Sequence, residues 1–276
     1  MTAKPEAGQL PEYAAALTAF HAAFGRELRR VVRAVPLPAG CRVLDVPCGD
    51  GFYTAALARR MYPFGTVVAA DLSDAYLTEA RRTVARCADV SAVEFVPADV
   101  YRMPFAAATF DVVWCAQSFI SLNDPVAALK EMRRVLKPGG TVAVLEDDEF
   151  HRVVLNWPVS LELDVQRAVA EASREQYGTR SALSPGRRVY QYLGDAGFRR
   201  RRQRTFAADR QAPFPPAVRD YLQLYFKETR EYAARHLAAD RRAAFDRETD
   251  PADPASFLNR PAAELTCLTT LFLAEA

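Results

Sequence analysis

Five short apolar runs punctuate the first half of the chain: Arg42–Val46, Thr66–Asp71, Val93–Pro97, Phe110–Cys115 and Thr141–Glu146. None has the three-to-four-residue spacing of an amphipathic helix, which suits strands buried on both faces of a parallel sheet. Between the runs the spacing becomes helical. Leu77, Ala80, Val84 and Cys87 form one face of a helix that Ser73 can cap. Leu129, Met132 and Leu136 form a face of another, opened by Asp124-Pro125 and ended by Lys137-Pro138-Gly139-Gly140, which turns the chain into the fifth strand. A helix over roughly Tyr13–Val35, with Phe20, Phe24, Leu28 and Val32 inward, precedes the first strand. This alternation predicts right-handed βαβ units, hence an α/β fold with a doubly wound, Rossmann-like, mostly parallel sheet.

After Glu146 the pattern turns helical and aromatic. Trp157-Pro158 opens a helix through Glu175, and Val189, Tyr192 and Leu193 lie on another that stops at Gly194–Gly197. Beyond Pro213–Pro216 comes a long amphipathic helix carrying Val218, Tyr221, Leu222, Tyr225, Thr229 and Tyr232. Phe198–Phe206 and Thr266–Ala274 read as closing strands, and the polar, proline-broken stretch Asp246–Pro261 reads as a loop. Residues 1–276 are expected to form a single domain with helical cap elements. Its parts are an N-terminal helical lid over 1–40, a core over 41–150, cap helices and an edge strand over 151–262, and a closing strand over 263–276.

Composition narrows the function classes. The chain has 276 residues, 50% hydrophobic and 25% charged, in the ordinary range for a globular protein. A formal net charge of +2 is too mild to argue for nucleic acid or an anionic membrane. Met1–Leu10 lacks an apolar h-region, and no run is long enough to span a bilayer, so neither a signal peptide nor a membrane segment is expected. Cys41, Cys48, Cys87, Cys115 and Cys267 show no C-x-x-C spacing. A cytoplasmic setting with no metal site is therefore the expectation.

The densest signal is Val43-Leu44-Asp45-Val46-Pro47-Cys48-Gly49-Asp50-Gly51, an apolar strand, a glycine-bearing turn and the start of a helix. The carboxyl end of the first strand is where open α/β sheets bind ligands. Glycines let the main chain approach a ligand closely, and an acid at Asp45 favours an ammonium over a phosphate. The dinucleotide fingerprint G-x-G-x-x-G is absent: counted through Gly49 as second glycine its first position is Pro47, and counted from Gly49 its third is Thr54. Asp71 ends the second strand, where a carboxylate can accept from two vicinal hydroxyls. Asp99 follows the third, with Val100 beside it as a backbone donor.

The Asp45–Gly51 run resembles motif I of class I S-adenosylmethionine-dependent methyltransferases. Asp71, Asp99, the run Phe110–Gln117 and the Leu136–Gly140 turn follow in that family's order, and the branch most resembled is the ubiquinone/menaquinone-methyltransferase-like one that acts on small molecules. The resemblance implies S-adenosyl-L-methionine as cofactor, with S-adenosyl-L-homocysteine as product. It implies a cofactor site of Asp45, Pro47, Cys48, Gly49, Gly51, Asp71, Leu72, Asp99, Val100, Ala116 and Gln117, and a small-molecule acceptor.

Residues after strands four and five lie where an acceptor would sit: Gln117, Ser118 and Phe119, then Glu146–His151. If the acceptor must lose a proton, His151 and Glu149 are the candidate catalytic residues, and of the three histidines only His151 falls beside that site. The acidic run could equally be a solvated loop, and Tyr190, Tyr225 and Tyr232 have core packing as their default role. Arg199–Arg202 with Arg204 reads as charge guarding a sheet edge rather than a nucleic-acid face. The alternatives are a nucleic-acid or protein methyltransferase, and a catalytically silent binding module of the same fold. Either a monomer or a homodimer fits.

Overall fold

Successive residues of β1 (Arg42–Asp45) enter different cores. Val43 joins an apolar cluster on one face of the sheet, and Leu44 joins a second cluster on the other. The same division separates Val67 from Val68 in β2 (Thr66–Asp71), and Val112 and Trp114 from Val113 and Cys115 in β4 (Phe110–Ala116). In β5 (Leu136–Glu146) it separates Ala143 and Leu145 from Val142 and Val144. Pleating sends neighbours to opposite sides and both sides are covered, so these strands have no polar face. The computed structural model describes residues 9–11, 13–148, 150–177 and 185–276.

With β3 (Ala92–Pro97) outermost, the sheet order is β3-β2-β1-β4-β5, all parallel. The last strand, β8 (Glu264–Glu275), then pairs antiparallel to β5. Its other side carries β7 (Arg199–Gln211), while a short β6 (Val153–Leu155) pairs with its first residues beyond β5. Helices α1 (Ala14–Arg33), α2 (Phe52–Met61), α5 (Val159–Tyr177), α7 (Pro216–Ala233) and α8 (Ala239–Thr249) feed the first cluster. Helices α4 (Pro125–Val135) and α6 (Val189–Asp195) feed the second. Leu77 and Ala80 of α3 (Asp74–Ala85) pack on Ala69 and Cys48. The anticipated caps are present: the Ser73 hydroxyl accepts from Tyr76 N–H at 3.4 Å, and Asp124 accepts from Ala127 N–H at 2.9 Å.

The structure revises four details. Leu136–Gly140 belongs to β5 rather than to a separate turn, with a register irregularity against β4 between Phe110 and Val112. Helix α8 runs through Asp246 to Thr249 and buries Phe245, so only the remainder of Asp246–Pro261 is loop. Strand β6 is three residues long, too short for a pattern to reveal. Cap aromatics pack into the core, with Trp157 stacked on Phe226 at 5.9 Å and Tyr221 5.6 and 5.4 Å from Phe20 and Phe24, but not all of them do. Tyr190 faces outward, with the Arg201 guanidinium over its ring.

Among the described residues nothing pairs with the outer side of β7. Arg199, Arg200, Arg202 and Arg204 are exposed there, and Arg200 sits at φ +47° within a register shift between Arg199 and Arg202. Charge and a bulge are two devices that keep an edge from recruiting another chain. Replacing Arg202 and Arg204 with threonine should therefore raise light scattering during refolding while the native circular dichroism is kept. Unchanged scattering, or loss of salt-sensitive nucleic-acid binding in that variant, would refute the edge role.

Candidate functional site

The chain leaves β1 at Asp45 and turns through Val46–Gly51 into α2, and this turn is tied at each step to neighbouring strand ends. Val46 N–H donates to Trp114 C=O at 2.9 Å, and Cys48 N–H donates to Ala70 C=O at 2.9 Å. Gly49 N–H donates to the Asp71 carboxylate at 3.0 Å, and Gly51 N–H closes the turn on Cys48 C=O at 3.1 Å. Gly51 has φ +81°, and a Cβ there would sit 2.6 Å from the Ala80 Cα. Only glycine lets α2 start so close to α3. Gly49 has φ +52°, and among the described residues a Cβ there would meet Leu17, in ordinary contact at 3.8 Å. The Cys48 side chain is buried against Ala69, Leu77 and Ala80, and burial pushes its thiol pKa up. That is packing, not nucleophile chemistry.

Three acids surround this turn. Asp45 is buried, with Thr54 Oγ1 donating to Oδ2 at 2.5 Å. Burial pushes its pKa up to about 8; the Thr54 hydrogen bond opposes that rise, and the negative charges of Asp71 and Asp50 add to it. Asp71 is also buried and raised by desolvation, against the lowering effect of backbone N–H groups of Ser73, Gly49 and Leu72. Its Oδ1 accepts from Ser73 at 2.9 Å while Oδ2 holds Gly49. Burial would likewise raise Asp50, but the hydrogen bond and charge of His21 outweigh it and hold Asp50 below the usual carboxylate range. The charged groups acting on Asp45 are thus both acidic, and the pocket they make favours a cation over a phosphate.

The remaining predicted positions line the carboxyl ends of the adjoining strands. Leu72 is 63% exposed directly after Asp71. Asp99 is exposed, its Oδ1 accepting from Tyr101 N–H at 2.9 Å, and Val100 is buried beneath it. Ala116 ends β4, and Gln117 follows at φ +51°. Gln117 links both sides of the cleft: its Nε2 donates to Asp147 at 3.1 Å, and its Oε1 accepts from the Tyr53 hydroxyl at 3.4 Å.

Glu146 and Asp147 of the acidic run turn inward, so these two are not solvated loop. Glu146 Oε1 accepts from Ser118 N–H at 2.6 Å and Phe119 N–H at 2.8 Å, fixing the chain after β4. His151 lies on the surface with its side chain 57% exposed; its Nδ1 is 2.9 Å from Asp148 and 3.1 Å from Arg187. Glu149 lies outside the described residues. His21 of α1, which the sequence reading leaves without a role, contacts the turn after β1, with Nδ1 2.8 Å from Asp50. Sequence reasoning assigns no role to the ties made by His21, Asp50 and Thr54, and it places Glu146 beside the acceptor without its bonds to Ser118 and Phe119. A signal existed for His21: Leu17, His21 and Gly25 share a four-residue spacing, and a mid-helix glycine marks a close approach.

A family model described as "Methyltransferase domain" matches residues 44–144. A ubiquinone/menaquinone biosynthesis C-methyltransferase, UbiE, from Idiomarina loihiensis is 41% identical over 117 residues, 42% of this chain and 47% of that protein. A demethylmenaquinone methyltransferase from Staphylococcus aureus is 36% identical over 121 residues, 44% of this chain and 49% of that protein. The alignments thus span about half the length of each relative. Among solved structures, a Bacillus halodurans protein described as a candidate methyltransferase superposes with a TM-score of 0.56 at 21% identity, covering 91% of this chain and 99% of that one. Residues 44–144 match the methyltransferase-domain model, and the whole chain has the fold of the superposed Bacillus halodurans protein.

The buried acid gives a stability prediction. Folded Asp45 keeps its proton up to about pH 8, whereas the unfolded chain releases it near pH 3.9. Between these values folding takes up a proton, so the contribution of this group to stability falls as pH rises, by at most about 1.4 kcal/mol per unit. Asp45→Asn keeps the shape without ionising. Urea melts at pH 5, 7 and 9 should show the variant gaining on the wild type as pH rises. Parallel curves would place Asp45 in a different protonation state.

Proposed function

We propose that this chain, whose residues 44–144 match the methyltransferase-domain model, transfers a methyl group from S-adenosylmethionine to a small, largely apolar acceptor. The observation that carries the reading is the acid-ringed turn of Asp45, Asp50 and Asp71, with Gly49 in the left-handed region at its centre. A ligand bearing a sulfonium and an ammonium suits that field, while a dinucleotide pyrophosphate does not. Thr54 supports the same choice. At the third glycine of the dinucleotide pattern it carries a hydroxyl that holds Asp45.

When bound, S-adenosylmethionine supplies a methyl group on a positively charged sulfur. The residues of this chain bind and orient. In our assignment Asp45, Pro47, Cys48, Gly49 and Gly51 shape the methionine end, with Cys48 contributing backbone only. Asp71 takes the ribose hydroxyls, Leu72 packs on the adenine, and Asp99 with the Val100 N–H meets its polar edge. Ala116 and Gln117 flank the reacting end. Donor and acceptor chemistry match here: the carboxylates of Asp71 and Asp99 keep acceptor capacity beside the backbone N–H groups they hold, and ribose and the adenine amine are donors. Methyl transfer is in-line displacement, so alignment and exclusion of water supply most of the rate enhancement. His151, oriented by Asp148 and Arg187, is the assigned proton acceptor for acceptors that must lose a proton, together with Glu149.

The names of the relatives support a quinone-type ring as acceptor. The family model covers residues 44–144, and the cap residues 151–262 that would hold the ring lie beyond it. Calorimetry should show binding of S-adenosylmethionine and S-adenosylhomocysteine but not NAD. Asp99→Ala is the cleaner site variant, because Asp71 also anchors the turn. It should weaken binding by about 0.5–1.5 kcal/mol with unchanged stability. A mass-spectrometric screen over hydroquinones, phenols and amines should find methylated product. His151→Ala should then lower turnover by about two to four powers of ten at unchanged cofactor affinity. Binding of NAD instead, or no product with any nucleophile, would refute the assignment.

A further inference from the structure

Helix α1 lies along the turn between β1 and α2 in matched steps of four residues. A Cβ at Gly49 would touch Leu17 at 3.8 Å. His21 Nδ1 is 2.8 Å from Asp50 Oδ2, and its ring stacks on Phe52 with centroids 4.3 Å apart and planes 14° from parallel. A Cβ at Gly25 would sit 3.3 Å from the Phe52 ring. Asp50 relays this contact into the turn, because its Oδ1 accepts from Phe52 N–H, the first amide of α2, at 3.0 Å. Residues spaced by four share one helix face, so the register is set by α1 itself.

The helix is not wedged in place on every side. A cleft of about 590 Å³ runs along its outer face, lined by Ala15, Thr18 and Ala22 together with Glu79, Ala217 and Asp220. The polar ties of α1 to the body include Glu27–Arg210 at 2.8 Å in its second half and His21–Asp50 in its first. His21 Nε2 is buried with no hydrogen-bond partner among the described residues. A polar atom left so costs stability. The ring therefore holds its place through the Asp50 bond and the stack on Phe52, against that cost.

We propose that His21 is a positioning residue for the cofactor site: through Asp50 it sets the Gly49–Gly51 turn and makes α1 the outer wall of the methionine subsite. This rests on the methyltransferase reading. Burial keeps His21 from touching the ligand directly, and its effect passes through the carboxylate it holds. Asparagine can place an amide N–H near the position of Nδ1, whereas alanine and phenylalanine cannot donate. Phenylalanine keeps the stack.

The test compares wild type, His21→Ala, His21→Phe and His21→Asn by calorimetry with S-adenosylhomocysteine and by amide hydrogen exchange without ligand. His21→Ala and His21→Phe should bind about tenfold to a hundredfold more weakly, while His21→Asn stays near wild type. Exchange at the Phe52 amide should quicken in the first two variants only. Retained affinity in His21→Phe, or equal loss in His21→Phe and His21→Asn, would overturn the proposal and leave His21 a packing residue. If wild type fails to bind the ligand, the methyltransferase reading falls. The ligand-free exchange of Phe52 still reports whether His21 orders the turn, and unchanged exchange would overturn that role as well.

Discussion

The carboxylate of Asp71 is the point on which the site depends. It ends β2, accepts Gly49 N–H from the turn after β1, and accepts Ser73 N–H at the start of α3. One buried acid thus fixes two chain reversals at the carboxyl end of the parallel sheet. Parallel pairing makes this possible. Strand β1 lies beside β2 in register, Asp45 opposite Ala69, so what leaves β1 arrives next to what leaves β2. Burying a carboxylate is costly, and backbone N–H groups aimed at it offset the desolvation.

The same crowding gives the site its character. Asp45, Asp50 and Asp71 act on one another across a turn of a few residues, and the two deepest are raised by burial. A protein optimised for stability alone would not keep them together. A cationic ligand arriving there would favour the charged forms of Asp45 and Asp71, which burial disfavours. Thr54, Ser73 and His21 each satisfy one of these acids, which leaves the field negative without leaving any of the three acids without a hydrogen-bond partner.

Much of this was legible in the sequence, and physics separates what was from what was not. Strands buried on two faces announce themselves as short apolar runs, so β1 to β5 and their order of appearance could be read directly. Ser73 and Asp124 were legible as caps because capping is local chemistry. Residues that act across long sequence distances were not. His21 meets Asp50 only after α1 folds back over α2, and Glu146 caps the chain after β4 only once β4 and β5 pair. The aromatic cap faces could be seen as apolar, but periodicity does not distinguish a packed core from the wall of a cavity. Side-chain packing against Phe20 and Phe24 decided that question for Tyr221.

The account stands on the acid-ringed turn being the place where the ammonium-bearing amino-acid end of S-adenosylmethionine and of its demethylated product binds. Amide chemical shifts of the isotopically labelled protein, followed as S-adenosylhomocysteine and separately NAD are added, test this residue by residue. The expected result is saturable shifts at Gly49, Gly51, Leu72 and Val100 with the first ligand and none with the second. Shifts confined to other parts of the fold, or stronger shifts at the turn with NAD, would contradict it.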